Sequence, residues 1–386
     1  MIISAFLLLG GVAIRQVDRW RFSLYREGQQ SLPTLSLREI LLRQRRSSNN
    51  VTPALLLIGH WLEIVGWWAL GGWLGSWCWL IVASAIAVKL RQLQEVSHFG
   101  IHRALCRSPR VEDWLIEFGA HAPLALAAVP VRREKHVRRH HPNATVRDVD
   151  PNLADLRSAG MFVGCSFPGF VRAVVYPLTL RGMAATCRDL GRNLTASGSR
   201  WWRVPVCCGV VVLSYLVTGW PAVVFGVVLP RVLLYPQLSW LSLLAEHRWF
   251  DAGVPGGGHA EVEAARCLRL YPGRHVFAAL ARIGWLPYGD LFHFAHSVHP
   301  AVRWNYLPAV ERIVGLPEFT PAKLLFGRSS AILRLYQFTR SPMTQSKPSR
   351  AAAISTVAES DPRGLDAARR GLRLRGGPGG TSRWPG

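Results

Sequence analysis

The sequence predicts an all-α integral membrane protein with about four transmembrane helices, arranged as two hairpins, together with interfacial helices and a histidine-rich cytoplasmic cap. Two apolar blocks, 51–90 and 204–244, predict the hairpins. Each block is about twice the ~20 residues that one helix needs to cross the hydrocarbon core. Arginine-rich segments border both blocks, and three histidine clusters lie in those segments. Apolar and polar residues are therefore segregated along the chain.

Composition narrows the class of protein. Of 386 residues, 49% are hydrophobic and 16 are Trp, yet Lys and Arg number 46 and the net charge is +23. The basic residues flank the apolar blocks and no nucleic-acid motif is present, so anchoring at a membrane surface explains the charge and no nucleic-acid partner is expected. Seven scattered cysteines without a CxxC motif indicate neither a disulfide framework nor a thiolate metal site, and we interpret them as packing residues.

The charge pattern sets the topology. We expect the first hairpin to turn near Gly71 and Gly72, and the second within 218–221. Arginine-rich segments at 15–46, 91–203 and after 248 are assigned to the cytoplasm by the positive-inside bias. All three histidine clusters and the regions of both termini then face the cytoplasm. Two shorter apolar runs, 114–131 and 161–180, are predicted to be interfacial or re-entrant helices.

Three regions are predicted along the chain. Residues 1–50 contain an apolar run, 1–14, that is too short to span comfortably and is interpreted as a truncated helix, followed by a basic segment. Residues 51–340 form the membrane domain. The tail, 341–386, is poor in apolar residues and is expected to stay outside any packed core.

The histidine clusters carry the chemistry. His98 and His102 stand four residues apart, which on a helix places both imidazoles on one face. In the second cluster the same spacing pairs His136 with His140, while His141, turned about 100° away, can reach a neighbouring metal. The third cluster has histidines at 293, 296 and 299, just before Pro300. Neutral imidazole is a common ligand of redox-active iron, so three clusters on one membrane face predict a metal site.

The order HxxxH, HxxxHH and HxxHxxHP, with a hairpin between the second and third motifs, resembles the membrane fatty acid desaturase and hydroxylase superfamily. The stretch DVDPNL at 148–153 is similar to that family's continuation after the second histidine box. The stretch HSVHPAVRWNYLP at 296–308 is similar to its ending after the third box. Ala245-Glu246-His247, which follows the second hairpin, looks like the family's additional histidine ligand. The resemblance covers roughly 98–307.

The resemblance implies an oxygen-dependent lipid acyl-chain desaturase with two iron ions, molecular oxygen as co-substrate, and an external electron donor such as a ferredoxin or a cytochrome b5-like protein. Candidate carboxylates that would orient the ligand rings are Glu95, Asp148, Asp150 and Glu246. A lipid or carotenoid hydroxylase or ketolase of the same superfamily is the alternative. The implied ligands are His98, His102, His136, His140, His141, His247, His293, His296 and His299.

One position departs from the family pattern. The third box usually reads HxxHH, whereas Ser297 occupies the last histidine position here. Three outcomes stay open: His299 substitutes, water or Ser297 fills the vacancy, or one iron binds poorly. The last outcome would describe a catalytically degenerate relative that keeps the fold.

Two other classes of protein compete with this interpretation. A membrane zinc hydrolase would also use histidines, but the chain has no HExxH motif, and a catalytic zinc needs only three protein ligands. A metal transporter would place its histidines near the middle of the membrane, whereas these lie beyond the ends of the predicted spans. Both alternatives fit the sequence less well than a di-iron oxygenase.

Overall fold

A computed structural model describes residues 1–22, 36–195, 201–251 and 256–340, and in these ranges the regular structure is helical. One compact unit, Met1–Pro342, contains all of the described helices. The predicted tail, 341–386, lies outside the described residues. The α-helices are α1 (Ile2–Phe22), α2 (Leu37–Gln44), α3 (Thr52–Leu74), α4 (Trp79–Ile101), α5 (Pro109–Ile116), α6 (Val129–Arg133), α7 (His141–Asn143), α8 (Pro151–Ser158), α9 (Phe167–Val174), α10 (Leu180–Thr195), α11 (Arg203–Thr218), α12 (Trp220–Val223), α13 (Tyr235–Leu244), α14 (His259–Arg266), α15 (His275–Ile283), α16 (His293–Val298), α17 (Leu307–Val314) and α18 (Ala331–Arg340).

Two helices within the described ranges are long and apolar enough to cross a membrane. The first is α3, Thr52–Leu74. The second, Trp220–Leu244, is continuous from α12 to α13 through two π-helical segments, Val224–Val228 and Pro230–Leu234. Each is joined to a neighbouring helix, α4 or α11, by a short turn. The all-α class is therefore confirmed, with two candidate spans.

The first turn lies a few residues later than the sequence predicted. Gly71 and Gly72 are inside α3, and the helix ends at Gly75, whose φ of 92° suits glycine. A Cβ on Gly71 would come within 2.9 Å of the Trp79 ring, and one on Gly72 within 2.2 Å of Thr218. The glycine pair thus allows close packing instead of a turn. The second turn, at Gly219 with φ 72°, lies where it was predicted.

Helix α1 is longer than the predicted apolar run, since it continues from Ile2 to Phe22 and packs along α3. Glycines permit the close approach: a Cβ on Gly11 would lie 2.6 Å from the carbonyl oxygen of Gly59. At its far end, Asp18 is buried and accepts hydrogen bonds from Arg303 and from Trp304 Nε1, at 3.2 Å for the latter. The N-terminal helix is therefore tied to the segment that follows the third histidine cluster.

A buried ionic cluster also joins the first three long helices. Glu63 of α3 forms ion pairs with Arg15 of α1 and Lys89 of α4, and its side chain is only 4% exposed. One turn earlier on α3, His60 is fully buried, with Nε2 2.5 Å from the Tyr288 hydroxyl. Buried charges are costly without partners, so one carboxylate here compensates two cations.

We expect Glu63→Gln to destabilise the helical unit by about 3–5 kcal/mol, because the substitution keeps the shape and leaves two largely buried cations without the carboxylate that they share. Denaturant titration of the detergent-solubilised protein would measure the change in the free energy of unfolding. Glu134→Gln is the matched control, since Glu134 pairs with Arg138 in an exposed i,i+4 contact that is expected to contribute under about 1 kcal/mol. Equal losses in the two variants would contradict the assigned role of Glu63.

Candidate metal centre

Five imidazoles from three distant parts of the chain meet in one group. One ring nitrogen from each lies within 4.8 Å of the corresponding atoms of the others. Helix α4 and the residue directly after it supply two of the rings, the stretch from α6 to α7 supplies two, and α16 supplies one. The members of this group, called here the five-histidine group, are His98, His102, His136, His141 and His296.

The second histidine cluster is arranged differently from the prediction. Between α6 and α7 the chain is π-helical over Glu134–His140. A π-helix forms i→i+5 hydrogen bonds and is wider than an α-helix, and the Nε2 atoms of His136 and His141, five residues apart, lie 3.1 Å from one another. His140 is not a member of the five-histidine group and instead groups with Glu246 and His247. The expectation that His136 pairs with His140 while His141 turns aside was therefore wrong, because it assumed α-helical spacing.

A second set of potential ligands centres on His247, directly after α13. His293 Nε2 lies 3.0 Å from His247 Nε2, and the His140 ring centroid lies 5.2 Å from that of His247. Glu246 groups with His140 and His247, and Cys267 groups with His247 and His293. We call His140, His247 and His293 the three-histidine set. It adjoins the five-histidine group through α16 and through the adjacent residues His140 and His141.

The ring nitrogens of both sets suit a metal ion. His98 Nε2 and His136 Nε2 lie 2.7 Å apart. When both rings are neutral, only one of these two nitrogens can donate a hydrogen bond to the other. His102 Nε2, His140 Nε2 and both ring nitrogens of His296 are buried without a hydrogen-bond partner. Buried polar atoms without partners are rare in folded proteins and indicate an additional bound group. Lone pairs that converge in this way fit metal coordination.

Electrostatics keeps these imidazoles neutral, which ligation requires. Burial, and then the neighbouring imidazoles, lower the pKa of His102, His136 and His141 well below the usual value for histidine. The same causes lower the pKa of His247 and His293 well below that value. At neutral pH these rings therefore present lone pairs instead of positive charge.

Carboxylates orient one ring in each set. His98 Nδ1 donates to Glu95 Oε1 at 2.9 Å, and His140 Nδ1 donates to Asp150 Oδ1 at 2.8 Å. Nε2 of His98 then faces His136 Nε2, and Nε2 of His140 is left buried without a hydrogen-bond partner; a carboxylate on the other ring nitrogen is the usual arrangement around metal-binding histidine. Glu95 and Asp150 were predicted for this role. Asp148 was also a candidate, but it is exposed and pairs with Arg157, so that prediction was wrong.

Asp150→Asn is expected to lower metal affinity about 10–100-fold, the usual effect of disturbing a carboxylate that hydrogen-bonds to a metal-binding histidine. Asp150 Oδ1 accepts from both His140 Nδ1 and Asn152 N, at 2.8 and 2.9 Å, so asparagine can keep an oxygen at the start of α8 but loses the negative charge that holds the His140 ring. Metal titration of the purified protein would measure the effect, with Asp148→Asn as the control of equal charge change. An unchanged affinity in Asp150→Asn would show that this contact does not support a ligand.

A buried ionic network next to the three-histidine set was not predicted from the sequence. Arg91 of α4 pairs with Asp290 and, at 3.0 Å, with Glu95, and it donates to Ser242 Oγ at 2.9 Å. Ser242 Oγ in turn donates to Asp290 Oδ2 at 2.6 Å. Burial and the nearby Asp290 raise the pKa of Glu246 above its usual value. Asp290, three residues before His293, was the available sequence signal for this network.

His299 lies apart from these sets. It follows the last residue of α16 with φ −134°, is half-buried, and belongs to none of the potential ligand groups among the described residues. Ser297, by contrast, is buried within α16 beside the ligand-bearing face. The last position of the third box therefore points inward, although it carries a serine.

The described residues thus form a helical protein with two candidate spans and clustered, largely buried imidazoles that could hold metal ions. A model of the fatty acid desaturase family matches residues 76–326, well over half of the chain. The chain is therefore a member of the fatty acid desaturase family, and the predicted superfamily is confirmed. Comparison with curated proteins finds no match to this chain.

Proposed function

We propose that the protein is an oxygen-dependent, di-iron desaturase of lipid acyl chains. Family membership supports an oxidoreductase of this kind, and the observation that carries the proposal is the convergence of buried imidazoles into two adjoining sets. The five-histidine group would hold one iron and the three-histidine set the other. His299 lies outside both sets, so it is not among the proposed ligands.

The bound iron pair would supply activation of dioxygen, the chemistry that an unactivated methylene group requires. The chain's own residues would hold the iron ions, orient the ligand rings and exclude bulk water from them. Asp150 and Glu95 fix the tautomers and directions of His140 and His98. Burial of His102, His293 and His296 keeps bulk water from the ligand rings. Such a site favours oxidation of substrate over uncoupled reactions with solvent.

The proposed topology has two hairpins, α3 with α4 and α11 with the helix Trp220–Leu244. Because both hairpins return to the side from which they started, the three histidine clusters share one face of the membrane. The arginine-rich segments between and after the hairpins assign that face and the regions of both termini to the cytoplasm. Interfacial positions for 114–131 and 161–180 complete this arrangement.

The substrate and electron donor follow from this placement. The family implies a lipid acyl substrate, which can reach a site at the membrane surface from the bilayer. Arg138 and Arg139 are exposed on the segment that carries the second histidine cluster. Positive charge there would steer an acidic electron carrier, such as a ferredoxin or a cytochrome b5-like protein, toward the metal centre.

Mass spectrometry of membrane lipids from cells with and without the chain tests the proposal. A desaturase removes two hydrogens from an acyl chain, whereas a hydroxylase of the same family adds one oxygen atom. We expect acyl chains that have lost two hydrogens. Acyl chains with an added oxygen would favour the hydroxylase, and an unchanged lipid profile in cells that supply iron, oxygen and donor would contradict both.

A further inference from the structure

We propose that the Cys267 thiolate is a ligand of the second metal ion, beside His247 and His293. The inference rests on the proposed metal centre. Its central observation is that Cys267 Sγ and one ring nitrogen from each of these two histidines lie within 4.8 Å of one another. The chain would thereby use a sulfur ligand at one metal and only imidazoles at the other.

The backbone fixes Cys267 beside His247. The two residues form an isolated antiparallel bridge, and Arg248 N donates to the carbonyl oxygen of Arg266 at 2.7 Å next to it. Residues directly opposite in an antiparallel pair direct their side chains to the same side. The His247 ring packs against the rings of His140 and His293. The bridge therefore directs the Cys267 thiol to the side of the chain on which these rings lie.

Packing against α16 places the thiol at the end of the third histidine cluster. Cys267 is fully buried in a small cluster with Phe294 and Val298 of α16. Ser297, one helical turn after His293, directly precedes Val298. The sulfur atom therefore lies next to Ser297, the position at which the family pattern has a histidine.

The two ligand sets differ in the number of imidazoles, and a thiolate would add a ligand to the smaller set. The first has five imidazoles, whereas the second has three and includes His140, whose Nε2 is buried without a hydrogen-bond partner. This unpartnered nitrogen points to a bound group independently of the cysteine. Thiolate and imidazole together are common ligands of zinc and of iron.

The bond that forms is between the metal and Sγ, and the bond that breaks is the thiol S–H. Glu263 Oε2 lies 3.4 Å from Sγ, within reach of the proton that is released. No electron is transferred, because a metal dication replaces a proton on sulfur. Glu263 also pairs with Arg266, so the acceptor is held in place by its own chain segment.

A different role for Cys267 would be to position His247, since Sγ also lies 3.5 Å from His247 Nδ1. The two roles differ in one measurable property. A ligand places sulfur in the coordination shell of the metal, whereas a positioning contact leaves only nitrogen and oxygen there. The test is therefore spectroscopic and does not depend on catalytic activity.

The experiment is X-ray absorption at the zinc edge on the detergent-purified full chain loaded with zinc, combined with elemental analysis. Zinc is the probe because it does not change oxidation state. Sulfur scatters at about 2.3 Å from zinc and imidazole nitrogen at about 2.0–2.1 Å. We expect a sulfur shell in the unaltered chain and in Cys165→Ser, a buried cysteine outside the potential ligand groups among the described residues. The shell should be absent from Cys267→Ser.

A variant that retains Cys267 and replaces the other six cysteines with serine leaves the proposed ligand untouched, and its sulfur shell should persist. Cys267→His should keep two zinc ions per chain while losing the sulfur signal. Two bound zinc ions with only nitrogen and oxygen neighbours in the unaltered chain would overturn thiolate ligation and leave the two-metal centre standing. Failure to bind zinc at all would overturn both.

Discussion

Replacing His140 with alanine is expected to abolish product formation, by more than ~100-fold, since even loss of a ligand's hydrogen-bonding partner typically costs 10–100-fold. His140 is fully buried, its Nδ1 donates to Asp150, and its Nε2 is buried without a hydrogen-bond partner. The substitution removes one of only three imidazoles in its set. Lipid mass spectrometry would measure the product, and iron analysis should show that the five-histidine group keeps its metal.

His275→Ala is the matched control for His140→Ala, because His275 is exposed at the start of α15 and belongs to no potential ligand group among the described residues. It should retain activity and metal content. Membrane insertion of both variants should equal that of the unaltered chain, since neither residue lies in a candidate span. Undiminished product from His140→Ala would remove His140 from the site.

His296→Ala is expected to have a similarly large effect through the other metal. Its ring lies 4.7 Å from each of the His98 and His102 rings, measured between centroids, and it joins α16 to α4 within the five-histidine group. Without His296, the third histidine cluster contributes no ligand to the five-histidine group. Iron content should fall from about two per chain toward one, and product formation should fall to background.

His299→Ala provides a control three residues away on the same segment. His299 is half-buried and lies outside both ligand sets, so this variant should keep its iron and most of its activity. The comparison also decides among the possibilities that Ser297 left open. A loss of iron in His299→Ala equal to that in His296→Ala would mean that His299 replaces the missing histidine after all.

Much of the site could be predicted from the sequence because its ligands occur as spaced histidines beside long apolar blocks. The patterns at His98, His136 and His293 indicated three contributing segments, and the structure brings all three together. Spacing alone did not divide the ligands between the two sets. That division depends on the π-helical stretch Glu134–His140, and the spacing of residues in the sequence does not show where a helix changes from α to π geometry.

Other features depended on long-range pairing. The bridge between His247 and Cys267 joins residues that are 20 positions apart, and no motif surrounds the cysteine. Glu63 was hidden within an apolar block because its partners, Arg15 and Lys89, lie on neighbouring helices. Sequence patterns show local periodicity, whereas contacts between such segments emerge only from the packed helices.

The ratio of iron to protein in the purified, iron-supplemented full chain tests the central claim most directly, because the claim requires two adjoining sets of imidazole ligands. We expect two irons per chain, falling to about one when either His140 or His296 is replaced by alanine. A chain that binds no iron, or a single zinc ion that neither substitution removes, would contradict it.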